Sequence, residues 1–274
     1  MQMRLLGLGD NTIDTYVDRK RQYPGGNAVN VAVMANRLGV ESHYLGCVGS
    51  DEGGDLLLSS LAAEGVGTPH VRRRSGQNAR AFVGHRNGDR YFIQSYPGVR
   101  AQYDFNDADF AYIAEFDVVH TSIYSEIDAF LPRIHPRKAL SYDFSNRWTI
   151  AHLELALPSC QWAFLSASEL PEQDVASLVQ FAAALGPEIV VATRGEKSFF
   201  GFFDGKVSIQ EALPTTVVDT LGTDDALIAG VVTALMNQDS FSNALLAGAS
   251  NAALACQVEG GFGYGVAYED GGAA

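Results

Sequence analysis

The densest chemistry in the sequence lies in Val217-Val218-Asp219-Thr220-Leu221-Gly222-Thr223-Asp224-Asp225-Ala226. An apolar run stops there, a glycine turn follows, and a long helical pattern begins. The first N–H groups of a helix have no partner within it. The helix dipole adds positive potential at that end, so the turn offers an anion site. An aspartate at its mouth, Asp224 or Asp225, can take the proton of a hydroxyl as that hydroxyl attacks a phosphoryl group. The same aspartates also suit a plain helix cap. In Tyr23-Pro24-Gly25-Gly26-Asn27-Ala28-Val29-Asn30, paired glycines let the backbone approach a ligand or turn tightly. Asn27 and Asn30 then share one helix face, where they can bond hydroxyls, although a turn with a helix cap reads equally well. Asp10 lies just past the first apolar run, where open α/β sheets bind ligands. With Asp14 it makes a carboxylate pair suited to a polyol, or a simple Asx turn.

These residues need elements to hold them. Residues 3–9 and 42–48 read as strands, and residues 27–38 as a helix closed by Gly39. Ser50 or Asp51 caps a helix to about residue 64. Alternation of this kind implies a parallel sheet covered on both faces. The middle differs: residues 80–85 and 90–94 flank Asn87-Gly88-Asp89, a hairpin signal. With residues 12–16 they make a small β lid. Further strands are expected at 117–121, 139–143, 162–166 and 188–193, then a hairpin of 199–203 and 206–210. Helices at about 224–236 and 241–257 close the fold. The chain thus reads as one α/β domain over 1–266, with lid strands from about 12–18 and 80–95 inserted and a flexible tail at 267–274.

Hydrophobic residues make up 47% and charged residues 19%, which fits a soluble globular enzyme. A net charge of -13 argues against nucleic acid and anionic membrane as partners. Arg72, Arg73 and Arg74 read as a solvated edge. Cys47, Cys160 and Cys256 are far apart and read as buried thiols of a reducing compartment. No apolar run reaches membrane-spanning length, so a cytoplasmic protein is expected. His43, His70, His85, His120, His135 and His152 are dispersed, without zinc-ligand spacing. No G-x-G-x-x-G follows the first strand, which speaks against a dinucleotide-binding dehydrogenase.

Together the segments resemble the PfkB, or ribokinase-like, carbohydrate kinases. The early signature of that family looks like Gly25-Gly26-Asn27 through Gly49-Ser50-Asp51-Glu52-Gly53-Gly54-Asp55, and the late one like Asp219-Thr220-Leu221-Gly222-Thr223-Asp224-Asp225. The chain is most similar to the fructoselysine 6-kinases, through Gly9-Asp10-Asn11, Pro24–Val33 (numbers 24–33), Phe116-Asp117-Val118-Val119-His120 and Tyr142-Asp143-Phe144-Ser145-Asn146-Arg147-Trp148. The resemblance implies a ribokinase-like α/β fold: a central, mostly parallel sheet with helices on both faces and a small β-sheet lid. It implies an ATP-dependent kinase using Mg²⁺ and phosphorylating a hydroxyl of a sugar or sugar–amine adduct. Asp225 is then the base, and the backbone of Gly222, Thr223 and Asp224 the anion hole. Asp10, Asp14, Gly26, Asn27 and Asn30 match positions that hold sugar hydroxyls. Thr193, Gly195 and Asn251 match the nucleotide side, and Glu169 the metal. The lid commonly pairs two subunits into a homodimer. Three positions depart from the pattern: Asp224 replaces a glycine, Ser166 an asparagine, and Ser198 a glycine. Asp224 matters most, because two unit charges ~4 Å apart repel by about 4 kcal/mol at an effective dielectric of 20. The competing reading is therefore a catalytically weak or inactive sugar- or nucleotide-binding homologue.

Overall fold

The computed structural model describes residues 3–86, 89–134 and 138–269. Its larger sheet has eight strands. From one edge the order is β14 (Lys206–Gln210), β13 (Phe199–Phe203), β12 (Ile189–Thr193), β11 (Trp162–Ser166), β10 (Ala139–Asp143), β9 (Val118–Ser122), β1 (Arg4–Leu8) and β4 (Glu41–Leu45). The strands from β12 to β4 run parallel, and β13 and β14 add an antiparallel edge.

Parallel strands buried on both faces send successive side chains into two separate cores. Leu5, Val118 and Val191 pack on one face beneath α1 (Asn27–Arg37), α2 (Glu52–Ala63), α7 (Thr223–Met236) and α8 (Phe241–Ala255). Leu6, Val119 and Val190 pack on the other, beneath α3 (Asp107–Ile113), α4 (Leu131–Ile134), α5 (Ile150–Ala156) and α6 (Glu172–Ala184). From β1 the chain steps to β4 on one side and later returns to β9 on the other. That reversal opens a crevice at the carboxyl ends of β1 and β9.

The lid is a five-stranded sheet in the order β15 (Val266–Ala267), β3 (Arg21–Gly25), β2 (Thr12–Tyr16), β7 (Arg80–Arg86) and β8 (Asp89–Tyr96). β7 and β8 pair antiparallel as the hairpin pattern implied, while Asn87 and Gly88 at its turn lie outside the described residues. His135 and residues 270–274 also lie outside them.

Three expectations change. The 42–48 run is not one strand: β4 stays in the large sheet, while β5 (Cys47–Gly49) pairs with β6 (Arg72–Arg74) in a separate two-stranded sheet. Arg72–Arg74 is therefore a paired strand, tied by Arg72 to Asp109 and by Arg73 to Asp55, rather than a plain solvated edge. Finally, the chain remains bonded past residue 266, because Ala267 pairs with Arg21 and Tyr268 N donates to Lys20 O. β3 was hidden in the sequence because Pro24 and Gly25 read as a turn. Both pair with β2, where a proline next to a helix entry is tolerated at the strand's end.

Candidate active site

A cleft of about 560 Å³ opens between the lid and the carboxyl ends of the large sheet. Asp10, Asp14, Gly26, Asn27, Asn30, Gly222, Asp224 and Asp225, drawn from distant parts of the chain, all line it.

Gly222 is the N-cap of α7. It has φ +77, a left-handed conformation that favours glycine, and a side chain there would meet the Gly261 backbone at 2.9 Å. With no side-chain cap, α7 leaves first-turn N–H groups to other acceptors. Thr223 is turned away from the cleft: its N–H donates to Thr220 O and its hydroxyl meets Cys256 Sγ. The loop before α7 is fixed by Asp219, which accepts from Leu221 N, Gly260 N and the Tyr16 hydroxyl of the lid.

Asp225 faces α1. Asn27 Nδ2 donates to its Oδ1 and Asn30 Nδ2 to its Oδ2, each at 2.6 Å. The two asparagines, expected at sugar hydroxyls, thus align the carboxylate. Burial pushes Asp225 up to about 7, against the two amide donors, which lower it.

Asp10 is held by four donors. Its Oδ2 accepts from Asn27 N at 2.7 Å, and its Oδ1 accepts from Ala28 N, Ser122 Oγ and Ser125 Oγ. Gly26, the N-cap residue, has no side chain to cap α1, so Asp10 does so from the end of β1. Gly26 has φ +108, and a Cβ there would lie 2.5 Å from Asn11 Cα. Gly26→Ala is expected to cost about 1–3 kcal/mol of stability, read as a lower urea midpoint.

Asp14 is buried on β2, and burial pushes it up to about 7, opposed by the Arg90 guanidinium of β8. Asp143 ends β10 and accepts from Asn27 Nδ2 at 2.9 Å and Ser145 N at 2.8 Å. Burial raises it well above the ordinary carboxylate range.

Asp224 is exposed to solvent at the cleft, and it also lines a small adjoining cavity with Thr193, at the end of β12. Crowding by protein raises its proton affinity, while Thr193 and Arg90 lower it. Thr193 does not line the cleft itself but a small adjoining cavity, together with Asp143, Ser166 and Asp224. Gly195, Asn251 and Glu169 are not among the described residues lining the cleft. Asn251 Nδ2 donates to Ala226 O at 2.7 Å, Gly195 forms a left-handed turn, and Glu169 sits exposed in the turn after β11. No cluster of three or more His, Cys, Asp or Glu able to hold a metal occurs among the described residues.

The residue list drawn from the sequence had missed Arg90, Arg100, Tyr124 and Arg147, which also line the cleft. Their signal was weak, since an arginine in a lid strand or loop reads first as surface.

The geometry matches known proteins across nearly the whole chain. The pfkB family carbohydrate kinase model matches residues 7–262. The chain belongs to the pfkB family of carbohydrate kinases. The chain is 38% identical to the fructosamine kinase FrlD of Bacillus subtilis (strain 168), over 98% of this chain and 97% of that protein. It is 32% identical to the fructoselysine 6-kinase of Escherichia coli (strain K12), over 93% and 98% respectively. Among solved structures, a fructokinase with bound ATP from Xylella fastidiosa aligns with a TM-score of 0.79 at 22% identity, covering 96% of this chain and 94% of that one. An Arabidopsis thaliana ribokinase complexed with ribose and ATP aligns with a TM-score of 0.81 at 18% identity, covering 95% and 94%. The fold is ribokinase-like, and the chain is an ATP-dependent carbohydrate kinase.

Proposed function

We propose that the kinase transfers the γ-phosphoryl group of ATP to a hydroxyl of a sugar–amine adduct of the fructoselysine class. The observation that carries this is the Asp225 carboxylate, half-buried in the cleft and gripped by Asn27 and Asn30. A base whose proton affinity sits near neutrality both accepts and releases a proton readily. In the proposed step Asp225 takes the hydroxyl proton as the hydroxyl oxygen bonds phosphorus. The bond from phosphorus to the bridging oxygen breaks, and ADP leaves.

Asp10, Asp14 and Asp143 line the same cleft and give acceptors for hydroxyls and for the cationic amine that distinguishes such adducts from free sugars. The relatives named for fructosamine and fructoselysine support that choice. Arg90, Arg100 and Arg147 offset the carboxylates and suit phosphate.

Asp224 was the objection to activity. Asp224 shares a small cavity with Thr193 and feels Arg90, while Asp225 is held by Asn27 and Asn30, so the charge of Asp224 raises the proton affinity of Asp225 without taking its donors. Mg²⁺ fits the donors present, since it is held by one or two carboxylates together with substrate phosphates. Asp224, which lines the cleft with Ser166, would hold it together with the substrate phosphates, whereas Glu169 lies outside the cleft. Bound with ATP, the ion supplies charge neutralisation on the β- and γ-phosphates.

Phe92, Ile93 and Tyr96 are exposed on β8, an edge strand of the lid. That apolar edge suits pairing with the lid of a second copy, so we read the protein as a homodimer. Cys47, Cys160 and Cys256 are buried and free, which fits a reducing cytoplasm. No helix among the described residues is long and apolar enough to cross a membrane.

The test is a coupled ADP-release assay with fructosyl-lysine, other fructosyl amino acids, fructose and ribose. A fructosyl amino acid is expected to exceed fructose in kcat/KM by about tenfold or more, the worth of one further charged contact. Equal kcat/KM for free fructose would remove the sugar–amine assignment. No ADP release with any of them would remove the enzyme reading altogether.

A further inference from the structure

His120, on β9, is fully buried, and none of the chemistry above employs it. Its ring bridges two elements. Nδ1 lies 2.8 Å from Ser141 Oγ on β10, and Nε2 lies 2.8 Å from Asn27 Oδ1 on α1. An amide oxygen can only accept, so Nε2 carries the proton and the bare Nδ1 accepts from the Ser141 hydroxyl. Burial pushes the imidazole down to about 3, so the ring is neutral at working pH.

That Nε2–H decides which way round the Asn27 amide sits. With Oδ1 turned to His120, Nδ2 faces two carboxylates, donating to Asp225 Oδ1 at 2.6 Å and to Asp143 Oδ2 at 2.9 Å. A flipped amide would set its oxygen against both carboxylates and its NH₂ against the imidazole N–H. Acceptor would then face acceptor at the two carboxylates, and donor would face donor at the imidazole.

We propose that His120 is a positioning residue for phosphoryl transfer, locking the Asn27 amide in the orientation that aligns Asp225. The chain of donors runs from Ser141 to His120 to Asn27 and ends on the carboxylate. The proposal rests on the reading of Asp225 as base. The charged and titratable groups facing Asp225 are Asp10 after β1, Asp14 on β2, Arg90 on β8, Asp143 on β10 and Asp224 beside it on α7. None of them is altered by a substitution at His120.

The experiment compares wild type with His120→Leu, which fills the space without a donor, and His120→Gln, whose NH₂ can still reach Asn27 Oδ1. In His120→Leu kcat is expected to fall about tenfold while KM for the sugar stays near the wild-type value. His120→Gln should restore most of the lost kcat. A wild-type kcat in His120→Leu overturns the proposal, as does a folded His120→Gln as impaired as the leucine variant. If His120→Leu does not fold, ¹⁵N spectra of ring-labelled histidine in the wild type decide. A neutral, non-titrating Nε2–H ring supports the lock, and an Nδ1–H ring overturns it. Turnover that survives Asp225→Asn overturns the base reading and the lock together. Turnover lost in Asp225→Asn, with a wild-type kcat in His120→Leu, overturns the lock alone.

Discussion

Asp225→Asn is expected to lower kcat by roughly 10²–10⁴-fold, the usual contribution of a positioned general base. The change is nearly isosteric but removes the proton acceptor. It also sets an amide against the amides of Asn27 and Asn30, which now both donate to the carboxylate at 2.6 Å. Sugar binding, read by calorimetry, should change far less, because Asp10, Asp14 and Asp143 remain in the cleft. The pH dependence follows with a definite sign. The base works when deprotonated, and burial sets its affinity at about 7. Wild-type kcat should therefore be full above that value and fall about tenfold per unit below it. Asn30→Ala removes one lowering donor and should move the limb upward. Asp14 also lies at about 7, so the limb belongs to interacting carboxylates until Asp14→Asn is measured. A limb that follows Asp14→Asn and ignores Asn30→Ala would take the base role from Asp225.

Asp225, Asn27 and Asn30 were legible in the sequence because their signals are local. A glycine turn opens one helix, and two asparagines three residues apart share a face of another. What they do to each other was not legible. The bonds join residues 198 and 195 apart in sequence, and no spacing rule reaches that far. The asparagines therefore read as sugar ligands, and only the fold shows that their Nδ2 groups donate to Asp225. His120 was hidden for the same reason: an imidazole in an apolar strand looks like core until β10 and α1 come together over it. The large sheet was read well, since runs such as Ile189–Thr193 are apolar up to their last residue and bounded by turns. The lid was read less well. β3 ends in Pro24-Gly25, and one continuous β-type run bends at Gly46 into two sheets, a change of partner that leaves no periodic trace.

The second large effect is expected at Asp10, where the outcome is a joint loss of stability and activity. Asp10→Ala leaves the N–H groups of Asn27 and Ala28 without the acceptor that caps α1, in a buried place. It also strips an acceptor from Ser122 and Ser125, although Ser125 Oγ can turn to Leu8 O. An unsatisfied buried group costs about 1–3 kcal/mol, so two backbone groups together set the loss at about 3 kcal/mol. The check is urea unfolding, where the midpoint should fall with an unchanged slope. Turnover should fall as well, because a loosened start of α1 displaces Asn27, and Asn27 aligns Asp225. Asp10→Asn separates anchoring from sugar contact, since it keeps one oxygen for the Asn27 N–H. A near-normal midpoint with a raised KM for the sugar marks Asp10 as a hydroxyl ligand in its own right. A normal KM with a lowered midpoint marks it as the anchor of α1. A wild-type midpoint in Asp10→Ala would mean that the first turn of α1 holds without it, and the capping role would have to be given up.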